Sequence, residues 1–295
     1  MIGQPVLAVD YLGGNRRRDG LSYRHWMTTG AAAQGAVGDL LREWRQRRHL
    51  TQLDLAGDAE ISTRHLSFIE TGRSTPSRAM VLRLAERLEL PLRARNTLLT
   101  AAGYAPVFAE RPLADAALAP ARLAIERLLA AHEPFPAIAI DRHWTLVTGN
   151  GAAMRLMDGV DGALLQPPVN VLRLSLHPGG LAPRIANLAE WRTHLLTRLR
   201  RQIDLSADPV LSELLRELSA YPAPFHQSRT SAPDGDYASV MIPFQLVTGA
   251  GTLSFFSTTT IFGTPIDVTL SEIALESFFP ADVATSNALR RLERA

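Results

Sequence analysis

The sequence predicts two domains, an all-α domain of five short helices followed by an α+β domain with an antiparallel sheet. Three observations lead to this fold class. The chain has 295 residues, which is more than one compact core usually holds. Residues 37–104 carry five short apolar patterns with helical spacing. Stretches rich in β-branched and aromatic residues follow only after Pro136, among further helical patterns.

The five N-terminal helices are predicted from apolar spacing and from the residues at their ends. Between Val37 and Trp44 the apolar residues recur at the spacing of one helix face. Thr51 and Ser62 are suited to cap the second and third helices, and Gly72 is suited to end the third. The predicted helices cover residues 37–48, 51–59, 62–70, 81–88 and 93–102.

The second domain is predicted in residues 121–295, after a linker with several prolines at residues 105–120. A hairpin is predicted around "RHW", followed by a helix in "GAAMRLM". A long amphipathic helix is predicted in "NLAEWRTHLLTRLRRQ", and another from Pro209 to about Ala220. Strands are predicted in "SVMIPFQLV", "GTLSFFSTTTIFG" and "EIALESFF", before a short final helix.

Charge is unevenly distributed along the chain, whose basic residues are all Arg. Residues 1–105 carry 15 Arg and 10 acidic residues, a balance of +5, whereas residues 106–295 carry 16 Arg and 19 acidic residues, a balance of −3. The basic half predicts a polyanionic partner. Residues 1–36 contain Arg16–Arg18 and several Gly without the apolar stretch of a signal peptide, and they are predicted to form a disordered basic arm.

Several classes of site are excluded by composition and motifs. The chain has no Cys, which excludes disulfides, thiolate nucleophiles and Cys-ligated metals. No apolar run reaches the roughly 18 residues of a membrane span, so we expect no membrane partner and a cytoplasmic location. The sequence has no metalloprotease, serine-hydrolase or phosphate-loop motif, and its His residues lack ligand spacing. We therefore predict no catalytic residue, no metal and no cofactor.

Three residues, Glu60, Ile61 and the cap Ser62, separate the second predicted helix from the body of the third, which is typical of a helix-turn-helix. In that motif the second helix enters the major groove of DNA and the first bridges the backbone. Gln52 follows the Thr51 cap, where it can approach a phosphate. Phe68 could contact a thymine methyl group or pack on a neighbouring helix. The residues spaced to form the internal core are Leu53, Ala56, Ile61, Leu66 and Ile69, and those left facing outward are Thr63, Arg64, Ser67 and Phe68.

These residues, in "TQLDLA" and "HLSFIETGRSTPS", resemble the XRE family of helix-turn-helix proteins over residues 37–104. The resemblance implies double-stranded operator DNA as partner and a buried ion pair between Arg45 and Glu70. The family often has Gly where Glu60 stands, a position that favours a positive φ, so the tilt of the third helix is open. The resemblance also implies base reading by Thr63, Arg64, Ser67 and Phe68, and phosphate contact by Gln52, Arg73 and Arg78.

The second domain also resembles a known family. "AIAIDRHWTLVTGNGAAMRLM" looks like the opening of a PAS-like fold, and "NVLRLSLHPGGLAPRIANLAEW" and "FGTPIDVTLSEIALESFFPAD" resemble the MmyB-like transcription regulators. This resemblance extends from about residue 38 to the end. It implies a PAS-like ligand-binding domain that holds small apolar or fatty-acid-like molecules.

Candidate pocket residues lie on the long helix and the late strands. They could line an apolar cavity or close a solid core, and residue types alone favour the solid core. Three polar residues before the helix, Arg173, His177 and Arg184, could meet a carboxylate head group or be ordinary surface charge. The apolar candidates are Leu188, Trp191 and Leu195 on the helix, and Phe244, Leu246, Phe255 and Ile261 on the strands.

The predicted function is a sequence-specific DNA-binding transcription regulator that is not an enzyme and senses a small apolar or fatty-acid-like ligand. A single module reads few base pairs, so a homodimer on a palindromic site is expected. Two alternatives stay open. The PAS-like domain could serve only for dimerisation or partner binding, or the chain could be an enzyme with an attached DNA-binding module.

Overall fold

The computed structural model describes residues 30–222 and 242–294. The basic arm predicted for residues 1–36 therefore lies largely outside the described residues, as does the beginning of the strand predicted in "SVMIPFQLV". Residues 30–36 belong to the first helix, which begins seven residues before its predicted start. Local patterns did not predict this extension because "GAAAQGA" carries no apolar stripe.

Five helices form the N-terminal domain, and each predicted helix is present. The Thr51 hydroxyl accepts a hydrogen bond from Asp54 N while the Asp54 carboxylate accepts one from Thr51 N, so α2 begins with a capping box. The Ser62 and Ser77 hydroxyl groups cap α3 and α4, each by accepting one hydrogen bond from the backbone N–H three residues further on. The helices are α1 (Gly30–Arg47), α2 (Gln52–Asp58), α3 (Thr63–Glu70), α4 (Arg78–Arg87) and α5 (Leu92–Ala101).

The five helices close around one apolar core. The prediction that Leu53 belongs to this core is wrong, because Leu53 is 70% exposed and Leu55 takes the buried position on α2. Two leucines only two positions apart lie on different faces of a helix, and a seven-residue helix is too short for periodicity to decide between them. Fully buried members of the core include Leu41, Leu66, Ile69, Leu84 and Leu98.

Two backbone positions fix how the helices of this domain meet. Gly38 lets α1 approach the end of α3, since a Cβ there would lie 2.5 Å from the carbonyl oxygen of Ile69. Glu60 has a φ of 55°, the left-handed conformation that the turn between α2 and α3 requires. Glu60 therefore holds the geometry for which glycine is commonly used, and α3 keeps its place against α1.

The C-terminal domain is built on a five-stranded antiparallel sheet with strand order β2-β1-β5-β4-β3. This arrangement, with helices before, within and after the strands, confirms the predicted PAS-like α+β fold class. The strands are β1 (Ala137–Ile140), β2 (Leu146–Gly149), β3 (Phe244–Thr248), β4 (Gly251–Ile261) and β5 (Ala274–Pro280). The helices are α6 (Ala119–Ala131), α7 (Gly151–Leu156), α8 (Val171–Leu176), α9 (Leu188–Ser206), α10 (Pro209–Ala220), α11 (Val268–Ser271) and α12 (Val283–Arg294).

Helices cover both faces of the sheet. On one face α6 packs Ile125 and Leu129 against small and aliphatic residues of β1 and β5. On the other face α9 packs Trp191, Leu195 and Leu199 against β1, β3 and β4, and α10 packs behind α9. The short helix α8 lies in "NVLRLSL" and was not predicted, since six residues give too little periodicity.

The two domains touch through polar contacts at α5 and at the end of α9. Arg93 on α5 donates two hydrogen bonds to Glu272, at 2.8 and 2.9 Å, and also pairs with Glu110 in the connecting segment. Arg48 donates to the backbone carbonyl of Leu205 on α9, at 3.5 Å, and Ala207 after α9 packs against the N-terminal core. The five N-terminal helices and the sheet domain are thus joined by contacts outside the connecting chain.

Candidate functional site

The third helix presents a polar and aromatic face beside a buried one. Leu66 and Ile69 are fully buried, which turns the other side of α3 outward. On that side the Arg64 guanidinium lies 5.3 Å from the centre of the Phe68 ring, one turn further along the helix. Thr63 and Ser67 are partly exposed next to them. The structure therefore places all four predicted base-reading residues on the outward side of α3, where Arg64 is exposed and the other three are partly buried.

A buried carboxylate holds this helix in place. Arg45 donates to both oxygens of Glu70, at 2.7 and 3.0 Å, and Gln52 donates to Oε2 at 2.8 Å. Arg42 adds a longer ion pair at 3.7 Å. Burial opposes ionisation of Glu70, but the hydrogen bonds from Arg45 and Gln52 and the charge of Arg45 outweigh it and lower the pKa of Glu70. Glu70 at the end of α3 is thereby tied to α1 and α2 at once.

The predicted phosphate contacts divide into two groups. Arg73 and Arg78 are exposed on the segment after α3, and in the described part of the chain no carboxylate pairs with them or with Arg64. Exposed guanidinium groups without a carboxylate partner suit a polyanion. Gln52 differs, because its side-chain nitrogen is already bonded to Glu70, which leaves its backbone N–H at the start of α2 for an external acceptor.

The C-terminal domain contains a cavity of about 100 Å³ between α9 and the sheet. Its walls are largely apolar, and the aromatic rings of Trp144, Trp191, Phe244, Phe255 and Phe278 form much of them. The rings of Phe244 and Phe255 lie 6.0 Å apart and those of Trp191 and Phe244 lie 5.0 Å apart. Aromatic and aliphatic side chains thus line a space instead of filling it, so this part of the domain is not a solid core.

Four of the predicted pocket residues, Trp191, Leu195, Phe244 and Phe255, line the cavity. Leu246 and Leu188 pack within the surrounding core but not at its wall. The prediction for Ile261 is wrong, because it lies at the end of β4 beyond the covering helices and is 67% exposed. The alternation of side chains along a strand predicts which face of the sheet a residue lies on. It does not predict whether a helix covers that face at the end of the strand.

The three predicted head-group residues do not line the cavity. Arg173 is bound to Glu217 by two hydrogen bonds of 2.8 and 2.7 Å. His177 accepts a hydrogen bond from Gly179 N, at 3.0 Å. Arg184 donates to the backbone carbonyl of Asp158 at 2.8 Å. Each side chain has a local structural partner, so none of the three is retained as a head-group contact.

Instead, the polar part of the cavity wall comes from residues that the sequence did not indicate. Arg198 on α9 pairs with Glu276 on β5, and both side chains line the cavity. Ser175 and Ser257 also line it, and the Ser175 hydroxyl accepts a hydrogen bond from Trp191 Nε1 at 3.0 Å. One signal was available, since Glu276 stands at an inward position of the strand "EIALESFF", where an unpaired acid would be costly.

Within residues 30–222 and 242–294, no group of three or more His, Asp or Glu side chains is placed to hold a metal ion. Across those ranges no helix combines the length and the apolar character that crossing a membrane requires.

Comparison with known proteins identifies both domains. Residues 121–292 match the family model of the MmyB-like transcription regulator ligand binding domain, and residues 36–98 match that of a helix-turn-helix domain. The first match spans more than half of the chain. No curated protein matches at a significant level. The N-terminal helices and the sheet domain described above are therefore a helix-turn-helix domain and a ligand-binding domain.

Two solved structures are similar to parts of the chain. The clp gene regulator ClgR from C. glutamicum is 25% identical over 24% of this chain and 88% of its own, with a TM-score of 0.22. An RNA-binding Light-Oxygen-Voltage receptor is 16% identical over 95% of this chain and 70% of its own, with a TM-score of 0.23. TM-scores this low do not indicate a shared overall fold.

Proposed function

We propose that this chain, which belongs to the MmyB-like transcription regulator family, regulates transcription by binding operator DNA through α3 and by binding a small, mainly apolar molecule in the cavity of its C-terminal domain. The observation that carries the DNA-binding half is the outer face of α3. Arg64 and Phe68 stand there with Thr63 and Ser67, while Arg45 and Gln52 fix the helix from behind through Glu70. Such a face is suited to base edges in a major groove.

Each exposed residue has a chemical role in this proposal. Arg64 can donate two hydrogen bonds to the O6 and N7 atoms of a guanine, the commonest specific contact in the major groove. Phe68 can contact a thymine methyl group once the Arg64 guanidinium leaves its ring for the DNA. Arg73 and Arg78 contact phosphates and so contribute affinity without sequence preference. Gln52 contributes its backbone N–H to a phosphate at the start of α2.

A homodimer is part of the proposal. One helix-turn-helix contacts few base pairs, and two copies related by a two-fold axis read two half-sites about one helical turn of DNA apart. The operator should then be a palindrome. The protein would act in the cytoplasm, where bacterial-type regulators meet their DNA.

The cavity supports the ligand-sensing half of the proposal. Its volume of about 100 Å³ is smaller than an engineered cavity of about 150 Å³ that holds benzene. It suits a short aliphatic chain or a single small ring. Only part of a long fatty acid, the ligand class that the family resemblance implied, would lie inside a cavity of this volume. The cavity also favours ligand binding over a domain that serves only for dimerisation.

The DNA-binding half is tested by selecting sequences that the full-length protein retains from a random pool of duplexes. We expect a palindromic site with two half-sites about 10 base pairs apart. A protein carrying Arg64→Ala and Ser67→Ala should recover no common sequence. A wild-type pool that stays random at salt concentrations where the protein still binds would contradict sequence-specific binding.

The ligand-sensing half is tested by denaturing the purified protein and identifying the released small molecules by mass spectrometry. We expect a molecule with an apolar body of about five or six carbon atoms. Ala153 lines the cavity, so Ala153→Leu should fill part of it and reduce the amount recovered. Equal recovery from both proteins would show that the molecule binds elsewhere.

A further inference from the structure

An ion pair forms part of the wall of the otherwise apolar cavity. Arg198 lies on α9 and Glu276 lies opposite it on β5, where Glu276 is only 4% exposed. A charged pair in such surroundings costs desolvation energy that an apolar pair of the same size would avoid. The pair joins α9 to β5, and it also places a carboxylate at the cavity wall.

Hydrogen bonds to Glu276 are unevenly shared between its two oxygens. Oε1 accepts from Arg198 Nη2 and from the Thr259 hydroxyl, the latter at 2.9 Å. In the described parts of the chain, no hydrogen bond reaches Oε2. A carboxylate can accept several hydrogen bonds, and Glu276 lines the cavity, so this oxygen has acceptor capacity to spare. A donor group that enters the cavity can use it.

The charge of Arg198 is already balanced by the charge of Glu276. Its guanidinium pairs with Glu276, donates to Thr259 and lies 4.6 Å from the centre of the Trp144 ring. His194 lies one turn before Arg198 on α9, and burial, followed by the charge of Arg198, lowers its pKa. At neutral pH His194 therefore adds no positive charge, and the polar wall is close to neutral overall.

We infer that the polar wall selects a neutral ligand with a hydrogen-bond donor, such as an alcohol, a phenol or an amide, and excludes carboxylates. This inference rests on the proposed ligand-binding function and names the ligand class of the same cavity. An alcohol can donate to Glu276 Oε2 and leaves the ion pair intact. A carboxylate would place a second negative charge beside Glu276, and like charges close together in an interface disfavour binding strongly.

A cationic ligand is disfavoured for the corresponding reason. An ammonium group beside Glu276 Oε2 would also lie near the Arg198 guanidinium, which already neutralises that carboxylate. The two cations would then share one buried anion, and the ammonium would lose its hydration without a full counter-charge. A neutral donor avoids both penalties.

The test compares three probes with the same five-carbon chain, 1-pentanol, pentanoate and pentylammonium, on the full-length protein at neutral pH. Binding can be followed by tryptophan fluorescence, since Trp144 and Trp191 line the cavity. We expect 1-pentanol to bind at least about tenfold more tightly than either charged probe. The thermal unfolding temperature measured with each probe provides a second, independent readout.

A charge-neutralising variant tests the role of Glu276 directly. Glu276→Gln keeps the size of the side chain but removes its charge, leaving Arg198 without an ionic partner. Pentanoate should then gain at least about tenfold in affinity relative to 1-pentanol. Glu217→Gln removes the acid of a second Arg–Glu pair, the pair with Arg173 outside the cavity, and should leave the ratio unchanged. If Glu276→Gln does not fold, the ratio of the wild-type affinities for 1-pentanol and pentanoate tests the inference by itself.

The outcomes separate this inference from the function on which it rests. Pentanoate or pentylammonium binding as tightly as 1-pentanol in the wild type would overturn the neutral-ligand inference alone. If none of the three probes binds at millimolar concentration, the proposed ligand-binding function and the inference both fail. A tenfold preference for 1-pentanol that disappears in Glu276→Gln and persists in Glu217→Gln would support both.

Discussion

Each domain of this protein buries a glutamate against an arginine, and the two pairs differ in how completely they are bonded. Both oxygens of Glu70 accept hydrogen bonds, from Arg45 and Gln52, inside a closed helical core. Only one oxygen of Glu276 is bonded within the described residues, and it stands at the wall of a cavity. A carboxylate with all its bonds made holds helices in place, whereas one with spare capacity beside a cavity is available to a ligand.

This difference matches the two proposed roles. A DNA-reading helix works best when it is held rigidly, and three helices meet at Glu70 to hold α3. A ligand-binding domain must let a small molecule in, and the cavity between α9 and the sheet provides the room. The contacts between the domains, from Arg93 to Glu272 and from Arg48 to Leu205, give a physical route by which one domain could affect the other.

The largest expected effect comes from removing the carboxylate of Glu70. Glu70→Ala leaves Arg45 with its hydrogen bond to the Leu50 carbonyl but without a carboxylate to balance its charge, and should lower the free energy of unfolding of the N-terminal domain by about 3–5 kcal/mol. Glu276→Ala should cost less, about 1–3 kcal/mol, because Arg198 keeps its contact with Trp144 and part of its exposure to water. Urea unfolding followed by circular dichroism measures both.

The control for this prediction is a double-mutant cycle with Arg45→Met and Glu70→Leu. Replacing both partners by apolar residues should cost less than the sum of the single changes, because no charge is left unpaired. Strict additivity would show that Arg45 and Glu70 do not interact. A larger cost for Glu276→Ala than for Glu70→Ala would contradict the predicted difference between the two pairs.

The next effect compares leucines in the two cores. Leu84 is fully buried in the closed N-terminal core, so Leu84→Ala should cost about 2–5 kcal/mol through lost burial and a new void. Leu195 already borders the cavity, so Leu195→Ala should fall at the lower end, about 2 kcal/mol. Thermal unfolding measured by calorimetry compares them. A larger loss for Leu195→Ala would mean that the cavity is absent in solution.

Acid should weaken the N-terminal domain through Glu70. The hydrogen bonds from Arg45 and Gln52 hold the pKa of Glu70 below its usual value of 4.5. A carboxyl group with a lowered pKa contributes stability that is fully present above pH 4.5 and is lost as the pH falls through the folded-state value. Unfolding free energies measured between neutral pH and pH 3 should show this loss in the wild type. Glu70→Gln should show less of it, and an equal loss in both would contradict the assignment.

The smallest effect concerns the contact between the domains. Arg93 pairs with Glu272 and Glu110 but is partly exposed, so Arg93→Gln should cost at most about 1 kcal/mol. Arg47→Gln removes the exposed pair with Glu43 within α1 and should cost about 0.3–0.5 kcal/mol. Urea unfolding of both variants measures the difference. A loss from Arg93→Gln no greater than from Arg47→Gln would show that the interdomain pair contributes little.

Local signals predicted the helical domain better than the cavity. Thr51 and Ser62 cap helices through hydrogen bonds to residues three positions away, so the sequence carries the whole signal. The four outward residues of α3 follow from helical periodicity once Leu66 and Ile69 are placed inside. Leu53 was misplaced because its helix is too short for periodicity to separate it from Leu55.

The cavity depends on contacts between residues that are far apart in the sequence, and local sequence patterns do not predict such contacts. Arg198 and Glu276 are 78 positions apart, and only the register of β5 against β4 and the packing of α9 bring them together. The head-group prediction at Arg173 failed for the same reason, since its partner Glu217 lies on α10, which packs against α8 only in the folded domain. Arg173, predicted to lie at the pocket, is paired with Glu217 outside it. Glu276, at an inward position of β5, forms part of the cavity wall.

The central claim, that α3 reads DNA sequence, is tested most directly by competition binding on single-base variants of the site recovered from the random pool. Arg64→Ala should lose about 1–3 kcal/mol of binding free energy and relax the preference at one base pair per half-site. Arg78→Ala should weaken all variants alike and reduce the slope of log K against log salt by about 1. If Arg64→Ala loses the same affinity on every variant, Arg64 contacts the DNA backbone, and the account of α3 as the base-reading helix is contradicted.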